Sequence, residues 1–491
     1  MAHRPQPRLS RLQLRLLPAL LSLLLFQLNA QAGDPVPPSP EKPWAPPQLD
    51  AYEQNLANGT AAYKTNGTVV KVDPDKVYDL PELIDVAERS HPETRIAWEQ
   101  ARTAADAVGI SRSEYYPYLA ASAAAVYQRS LAAVTSVAPA NADEEGAELD
   151  LQWLLLDFGA RKAGLDAARE KLMAANVSFN ATHQQIVFDV TRHFYNFNVA
   201  RQKVGVEESS LKAAQTVGQA AQARYDNGLA TKPEVLEAEQ ETAQSEYDLE
   251  SARGDLSDAQ VSLIQSLGIV PTTQVQVADV PDQTTNFDES LDSLIDRGLS
   301  QRPDLVAKLA NVRAGEAAVR QAKAAYYPKL ALDTSVGYSK LDFSVYQSPE
   351  FDNSKPVYAA GVSISLPIFD GWLRANKLRA AKSQLKAAED ELTYSRDTAV
   401  SEIWQAYTDC KTALRKQESA AKLLTAAQSA FDATLESYRH GLSTYVDVAN
   451  AQRNLTTAQS VVVDTRSAIF TTSAALALSV GDLDRPAPHQ P

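Results

Sequence analysis

Four stretches of the chain alternate between apolar and polar or small side chains with a period of two, which is the pattern of half-buried β-strands. In the clearest stretch Leu149 and Leu151 flank Asp150, and the alternation continues on both sides. The stretches are residues 119–128, 147–155, 330–338 and 358–366. Because they come in two pairs, the pattern predicts two hairpins with long polar loops.

Long segments of strong helix formers separate these strands. Residues 159–225 contain no proline, which predicts one helix of about 66 residues and about 100 Å, far beyond a globular helix. After a turn at residues 227–231, a second helix is predicted over Pro233–Leu267, and Leu80–Glu114 predicts another of similar length. Two shorter helices laid end to end therefore match one long helix, which predicts a layer of coiled helices.

The same order of helix, hairpin, long helix and shorter helix occurs twice at a nearly constant spacing. The Tyr-Tyr-Pro triplet at residues 115–117 recurs at residues 326–328, an offset of 211. Asp157 recurs as Asp370 at an offset of 213. Chance matches would scatter over many offsets, so the chain is a tandem duplication.

The duplication sets the predicted domain organisation. The segments are a signal peptide at 1–32, a Pro-rich leader and N-terminal extended segment at 33–78, a first repeat at 79–268, a linker at 269–290, a second repeat at 291–482 and a C-terminal tail at 483–491.

The first 32 residues have the parts of a secretory signal peptide: a basic start, an apolar run over Leu16–Leu28 and small residues before a cleavage point near Ala32. An uncleaved anchor is the alternative, although this run is short for a bilayer-spanning helix. No cysteine follows Ala32 closely, which predicts an unlipidated mature protein. We find no mature run of 18 apolar residues, so membrane insertion should use strands.

Composition narrows the choice of partners. The formal net charge is −14, and beyond the four arginines of the signal peptide the chain carries −18, so it should repel nucleic acid. The single cysteine, Cys410, leaves no intramolecular disulfide. We expect its side chain to be buried.

Motifs for catalysis or metal binding do not emerge from the sequence. It has no nucleophile elbow, His-Glu-x-x-His motif, phosphate loop or Cys/His ligand set, and its six histidines are not at ligand spacing. The triplet Asp157-Phe158-Gly159 recurs in modified form at residues 369–371, which indicates a structural corner between strand and helix. We therefore predict neither an enzyme nor a cofactor.

The strands predict a membrane barrel. About ten tilted residues cross an outer-membrane hydrocarbon layer, and four strands cannot close a barrel, whose usual minimum is eight. Pairing the edges with other copies of the chain makes a trimer of about twelve strands the simplest ring. A soluble four-stranded domain on a coiled-coil rod is the alternative.

Taken together, the signal peptide, the duplicated element order, the Tyr-Tyr-Pro and Asp-Phe-Gly-x-Arg corners and the paired turns at residues 224–231 and 437–444 resemble the TolC-like outer-membrane efflux proteins. The resemblance implies a mixed α and β membrane protein with an internal tandem repeat. Its fold would be a homotrimeric 12-stranded barrel, four strands per chain, continued by a periplasmic α-helical barrel with an equatorial collar near 270–290.

The resemblance also implies a function. The protein would be a passive exit duct that docks to a periplasmic adaptor and an inner-membrane pump, in multidrug efflux or type I secretion. A non-conducting scaffold or adhesin built on the same rods is the alternative function. Because specificity resides in the pump, the sequence leaves the cargo open.

Two groups of residues carry over from the family. The adaptor-docking turns correspond to Gly228, Leu229, Ala230, Thr231, Gly441, Leu442, Ser443 and Thr444. The periplasmic gate corresponds to Asp447 and Asn450, the equivalent Glu234 and Glu237 of the first repeat, and the candidate links Tyr445 and Arg453. Asn450 departs from the acidic pattern of the family, and a solvated helix face is the alternative role for the four gate positions 234, 237, 447 and 450.

Overall fold

A computed structural model describes residues 49–66, 72–133, 137–280, 289–345 and 351–483. The predicted signal peptide, the proline-rich residues 33–47 and nearly all of the C-terminal tail lie outside these residues. The chain divides into two units, residues 1–69 and 70–491, which are described separately.

The described part of the first unit is one helix, α1 (Leu49–Asn66). The prediction of an extended segment over 33–78 is therefore wrong for these residues. The proline-rich run ends at Pro47, and residues 49–66 contain no proline and four alanines, which favours a helix.

The second unit contains eight helices and six strands among its described residues. In chain order they are β1 (Val77–Tyr78), α2 (Leu80–Ser90), α3 (Pro92–Ser113), β2 (Tyr118–Ala133), β3 (Val137–Leu156), α4 (Ala160–Asp226), α5 (Lys232–Ser266), β4 (Gln276–Val277), α6 (Leu291–Gln301), α7 (Pro303–Ala324), β5 (Lys329–Val345), β6 (Phe351–Ser365), α8 (Leu373–Arg439) and α9 (Tyr445–Val480).

The two long helices are confirmed. Helices α4 and α8 each have 67 residues, or about 100 Å at 1.5 Å per residue. The single helix predicted over 80–114 is wrong, because it breaks at His91. Pro92 starts a new helix there, since proline has no amide hydrogen to continue the old one, and Nδ1 of His91 accepts a hydrogen bond from the Glu93 amide.

The helices form a layer in which the two repeats interleave. Helices α3 and α5 both pack along α4, and α7 and α9 both pack along α8. Helices α7 and α9 also contact α4. Each therefore lies between the two long helices, and the first repeat has no complete packing surface without the second.

The sheet has the order β2-β3-β5-β6 and is antiparallel throughout. Leu149 faces Val336, and Val336 faces Tyr358, so the apolar positions predicted in three separate strands share one face. Within the described residues, β2 and β6 each pair on one side only. The sheet therefore has two open edges.

The strands are longer than the sequence predicts. They contain 15 to 20 residues each, and the ladder of the first hairpin continues to the pair Ala133 and Val137. The predicted long polar loops are therefore wrong for these residues. Pairing continues past the apolar segment because the ladder satisfies backbone groups whatever the side chains are.

Helix α9 is the one helix among the described residues that is long and apolar enough to cross a bilayer by length and composition. This helix contains no continuous run of 18 apolar residues, because serine and threonine interrupt them. Its packing between α4 and α8 assigns it to the helical layer.

The duplication extends to the hydrophobic core. One cluster contains Leu83, Val190, Phe197, Leu263 and Leu267. A second contains Leu294, Ile403, Cys410, Leu476 and Val480, which are the same five positions one repeat later. The expected burial of Cys410 is confirmed, because it is 1% exposed.

The strand-to-helix corners are structural, as predicted. Arg161 lies under the first corner, where its Nε donates to Asp157 at 3.0 Å and its Nη1 donates to the Leu154 carbonyl at 2.6 Å. Arg374 donates to Asp370 at 2.7 Å in the second corner. Each arginine thus fixes the direction in which a long helix leaves the sheet.

Gly268 shows why the break at His91 matters. This glycine has φ +65°, and a Cβ added to it would lie 2.5 Å from Cα of His91. The equivalent Gly481 has φ +83° and meets Arg302 at 3.1 Å. In each repeat a glycine therefore allows the end of the shorter helix to touch the break between the first two helices.

We expect Gly268→Ala to destabilise the protein by about 1–3 kcal/mol, because alanine at positive φ is strained and its methyl group would collide with His91. Thermal dissociation and unfolding of the purified protein in detergent measure this loss. Gly254→Ala is the matched control, because Gly254 lies in α5 with nothing within 4 Å of an added Cβ. Equal stability of the two variants would contradict the prediction.

Candidate functional site at the helix ends

Two turns at the ends of the long helices bring the predicted site residues together. Helix α4 starts just after β3 and ends 67 residues later at Asp226, so the first turn lies about 100 Å along the helix from the sheet. Helix α8 repeats this geometry, ending at Arg439.

Both turns close the helix end in the same way. The Leu229 amide donates to the Arg224 carbonyl at 2.8 Å, and the Leu442 amide donates to the Ser437 carbonyl at the same distance. Gly228 and Gly441 have φ of +69° and +75°. This left-handed C-cap favours glycine because it has no Cβ.

The next helices begin with matching caps. Thr444 precedes α9, and its hydroxyl donates to the Asp447 carboxylate at 2.7 Å, while its backbone amide donates at 2.9 Å. These two bonds hold the pKa of Asp447 below its usual value. Thr231 and Glu234 form the equivalent capping box of α5. Asp447 and Glu234 therefore have a structural task at the helix start.

The tips of the turns expose apolar side chains. Leu229 is 69% exposed and Leu442 is 82% exposed. Ala230 is half-buried, and the half-buried Ser443 donates to the Thr434 carbonyl at 3.1 Å. Two leucines held on rigid turns are suitable for contact with another protein.

A groove of about 500 Å³ lies between α4 and α5 beside the first turn. Its walls include Gln219 and Gln222 from α4 and Glu239 and Thr242 from α5. The groove therefore offers amide, hydroxyl and carboxylate groups beside apolar side chains such as Val235 and Ala238.

Behind the turns, four helices contribute polar side chains to one cluster, which we call the tip cluster. Its members are Arg224 of α4, Glu234 and Glu241 of α5, Tyr438 of α8, and Tyr445 and Arg453 of α9. The rings of Tyr438 and Tyr445 are 6.4 Å apart and lie edge to face. The guanidinium of Arg224 lies 4.6 Å from the centre of the Tyr438 ring.

Burial and negative charge dominate the electrostatics of the cluster. Burial raises the pKa of Tyr445 to about 12, and the charges of Glu241 and Glu237 add to this shift. Burial and Glu234 raise the pKa of Tyr438, while Arg224 opposes the shift. Both phenols therefore stay protonated at neutral pH.

The predicted gate residues occupy different environments. Arg453 donates to Asn450 at 3.0 Å and lies 3.8 Å from Glu241, so its contacts reach from α9 to α5. Asp447, Asn450 and Glu237 are exposed in the single chain. The structure thus brings Tyr445 and Arg453 to one level with Glu241, whereas Asp447 binds within its own cap.

Sequence reasoning missed Arg224, Tyr438 and Glu241. Tyr438 is the repeat of Tyr225 at an offset of 213, but the two differ sharply in exposure, at 0% and 40%. A buried link between α4 and α9 was also missed, in which Gln452 donates to the Ser210 carbonyl at 3.2 Å. Duplication alone could not reveal which copy of a residue is buried.

Among the described residues, no group of three or more His, Cys, Asp or Glu side chains is arranged to hold a metal ion. The site is built from turns, helix caps and a polar cluster at the meeting point of four helices.

Comparison with known proteins agrees with this architecture. The family model described as "Outer membrane efflux protein" matches residues 83–269 and 294–482, one segment for each repeat. The chain is 27% identical over 417 residues to Protein CyaE of Bordetella pertussis, covering 84% of this chain and 86% of that one. It is 23% identical over 444 residues to the probable outer membrane lipoprotein SilC of Salmonella typhimurium, covering 87% and 89%.

A solved structure shows the same fold. The crystal structure of the outer membrane protein VceC from Vibrio cholerae matches with a TM-score of 0.72 and 22% identity, covering 82% of this chain and 96% of that one. Because the family model matches most of both repeats, the chain belongs to the outer membrane efflux protein family.

Proposed function

We propose that this protein is the outer-membrane exit duct of a tripartite efflux or secretion pump and conducts substrates passively from the periplasm to the outside. The observation that carries this proposal is a four-stranded sheet with two open edges that continues into helices about 100 Å long. A duct needs both a membrane-spanning wall and a tube that reaches a partner across the periplasm.

Homotrimer formation is the arrangement we propose for pairing the open edges. An unpaired strand edge cannot face hydrocarbon, because its amide and carbonyl groups would have no partners. Pairing β6 of one copy with β2 of the next in three copies closes a barrel of about twelve strands. The helices, carried on the same sheet, would then close a tube below the outer-membrane lipid.

The two turns are the proposed docking surface for a periplasmic adaptor, which would connect the duct to an inner-membrane pump. The support is the exposure of Leu229 and Leu442 on glycine turns and the groove of mixed polar and apolar lining beside the first turn. Gly228, Ala230 and Thr231, with Gly441, Ser443 and Thr444, hold these leucines in place.

The tip cluster and its neighbours are the proposed periplasmic gate. Tyr445 and Arg453 would hold the helices together at this level, with Glu234 and Glu237 supplying negative charge from the first repeat. Asp447 and Asn450 of three copies would line the narrow end of the tube. Opening would be a movement of helices rather than a chemical step.

The mature protein would reach the outer membrane through a cleaved signal peptide and without lipidation. The probable lipoprotein SilC is a relative, but the single cysteine of this chain, Cys410, is buried within α8. A thiol in that position cannot become the lipidated N-terminus of a mature chain.

Reconstitution in a planar bilayer tests the duct. We expect the purified trimer to give small conductances that favour cations and to migrate on gels as a heat-modifiable trimer. Absence of any conductance from a correctly assembled trimer would favour the scaffold or adhesin instead. A protein that stays soluble once its signal peptide is removed would exclude the membrane barrel.

The turn at Gly441 provides a second prediction. Gly441→Val should reduce efflux and cross-linking of Leu442 to an adaptor in the host cell while trimers persist, because a β-branched residue is strained at φ +75°. Gly441→Asn is the matched control, since asparagine tolerates this conformation. Unchanged efflux and cross-linking in the valine variant would remove the turn from the docking surface.

Charge at the narrow end provides a third prediction. Three copies of Asp447 near a common axis should attract cations. Asp447→Asn should therefore weaken cation preference and block by multivalent cations, and Asn450→Asp should strengthen both, with trimers intact. Unchanged selectivity of single channels in both variants would place these residues away from the pore.

The cap of α9 allows a pH test of the same ring. Thr444→Val removes the hydroxyl that stabilises the Asp447 carboxylate, so the pKa of Asp447 should rise. Because a carboxylate loses its charge as pH falls through its pKa, cation preference should disappear at a higher pH in this variant than in the wild type. Thr444→Ser keeps the hydroxyl and should retain the wild-type midpoint.

A further inference from the structure

We propose that Arg224 is a positioning residue that latches the first turn to the second repeat in the resting duct and thereby links docking to opening. The inference rests on the proposed function and extends it to a residue outside the predicted docking and gate groups. It concerns one guanidinium that contacts both turns.

Arg224 is half-buried in the last turn of α4. Its Nη2 donates to the Leu229 carbonyl at 3.2 Å, within its own turn. Its Nη1 donates to the Tyr438 carbonyl at the end of α8, and its guanidinium covers the Tyr438 ring at 4.6 Å. A Cβ on Gly441 would lie 3.6 Å from Nη1. One side chain therefore bridges the two repeats.

The chemistry of arginine suits this position. The carbonyls at the end of α8 carry the negative end of the helix dipole, which favours a nearby cation. A planar guanidinium can donate to two carbonyls in different directions and stack on an aromatic ring at the same time, whereas a lysine ammonium is a point charge. The buried Tyr438 provides the platform for that stack.

The latch occurs once per chain, although the turns are duplicated. The residue equivalent to Arg224 in the second repeat is Ser437, at an offset of 213. Tyr225, the equivalent of Tyr438, is 40% exposed, and among the described residues it has Lys232 at 5.8 Å from its ring rather than a guanidinium. The two turns therefore differ: Arg224 of the first turn binds the second turn, and the second turn has no equivalent arginine.

This asymmetry defines what changes on opening. If α8 and α9 move away from α4 and α5, the Leu229 bond can remain, because it lies within the first repeat. The Tyr438 carbonyl bond and the stack must break. A partner that seats on the exposed Leu229 shifts the carbonyl that orients the guanidinium, and so weakens its hold on Tyr438.

The Tyr438 hydroxyl is a separate group that could also act in closing, because it is buried without a hydrogen-bond partner among the described residues, while Glu234 lies near enough to raise its pKa. The two contacts are separable. Tyr438→Phe removes the hydroxyl but keeps the ring and the carbonyl that Arg224 uses. Tyr438→Leu removes the ring.

The test is the open fraction of single channels formed by purified trimers in a planar bilayer with no other protein. We expect Arg224→Ala to raise this fraction about tenfold and Arg224→Lys to give a smaller rise. Arg439→Ala is the matched control, because Arg439 is exposed in the last turn of α8 and pairs with Glu436 of its own helix. It should behave as the wild type. Heat dissociation of the trimers is measured in parallel.

Double variants assign the effect to the latch. In the Tyr438→Phe background, Arg224→Ala should still raise the open fraction by its full amount, because the ring is kept. In the Tyr438→Leu background the rise in open fraction should be smaller, because the ring is already absent. Conducting wild-type trimers with no difference between Arg224→Ala and Arg439→Ala would overturn the latch and leave the duct intact. The latch would also be overturned if the open fraction rose only in variants whose trimers had lost their resistance to heat. Wild-type trimers that never conduct would instead overturn the proposed duct.

Discussion

The backbone hydrogen bonds at the edges of the sheet are the constraint on which the rest of this structure depends. Four strands of each chain form the sheet, and within the described residues β2 and β6 each have one edge without a neighbouring strand. Hydrocarbon cannot satisfy the amides and carbonyls of such an edge, so in the proposed membrane barrel other copies would have to pair with both edges. The helices leave the sheet through corners fixed by Arg161 and Arg374. The arrangement of the strands therefore also sets the direction in which the long helices leave the sheet.

Much of this architecture is visible in the sequence because periodicity and duplication are strong signals. A proline-free stretch between two turns can form one very long helix, and α4 and α8 match that expectation closely. The break at His91 was missed because Pro92 sits within an otherwise helical pattern, where the choice between a kink and a new helix depends on packing against Gly268. The length of the strands was missed because polar residues continue a ladder without any periodic signal.

The candidate site was partly predictable for a similar reason. Gly228 and Gly441 indicate turns in the sequence, because a backbone with positive φ favours glycine. Thr444 and Asp447 have the spacing of a capping box. Arg224 carries no such signal. Its role arises from a contact with Tyr438, more than two hundred residues away, and from the burial of only one of two equivalent tyrosines. Differences between the two repeats depend on tertiary contacts, because each residue packs against neighbours that the equivalent residue in the other repeat does not have.

The interleaving of the repeats has a consequence for the order in which the chain can fold. Helix α9 packs along both α4 and α8, yet it follows every other described helix in the chain and is therefore synthesised after them. Until it is in place, α4 exposes a face that includes Gln184 and Ser210, whose hydrogen-bond partners Gly481 and Gln452 lie after and within α9. Contacts between residues so far apart in sequence also form slowly. A chain in which α9 has not yet packed therefore exposes an α4 surface that can aggregate, and a truncation that removes α9 should lower the stability of the fold far more than its share of the sequence.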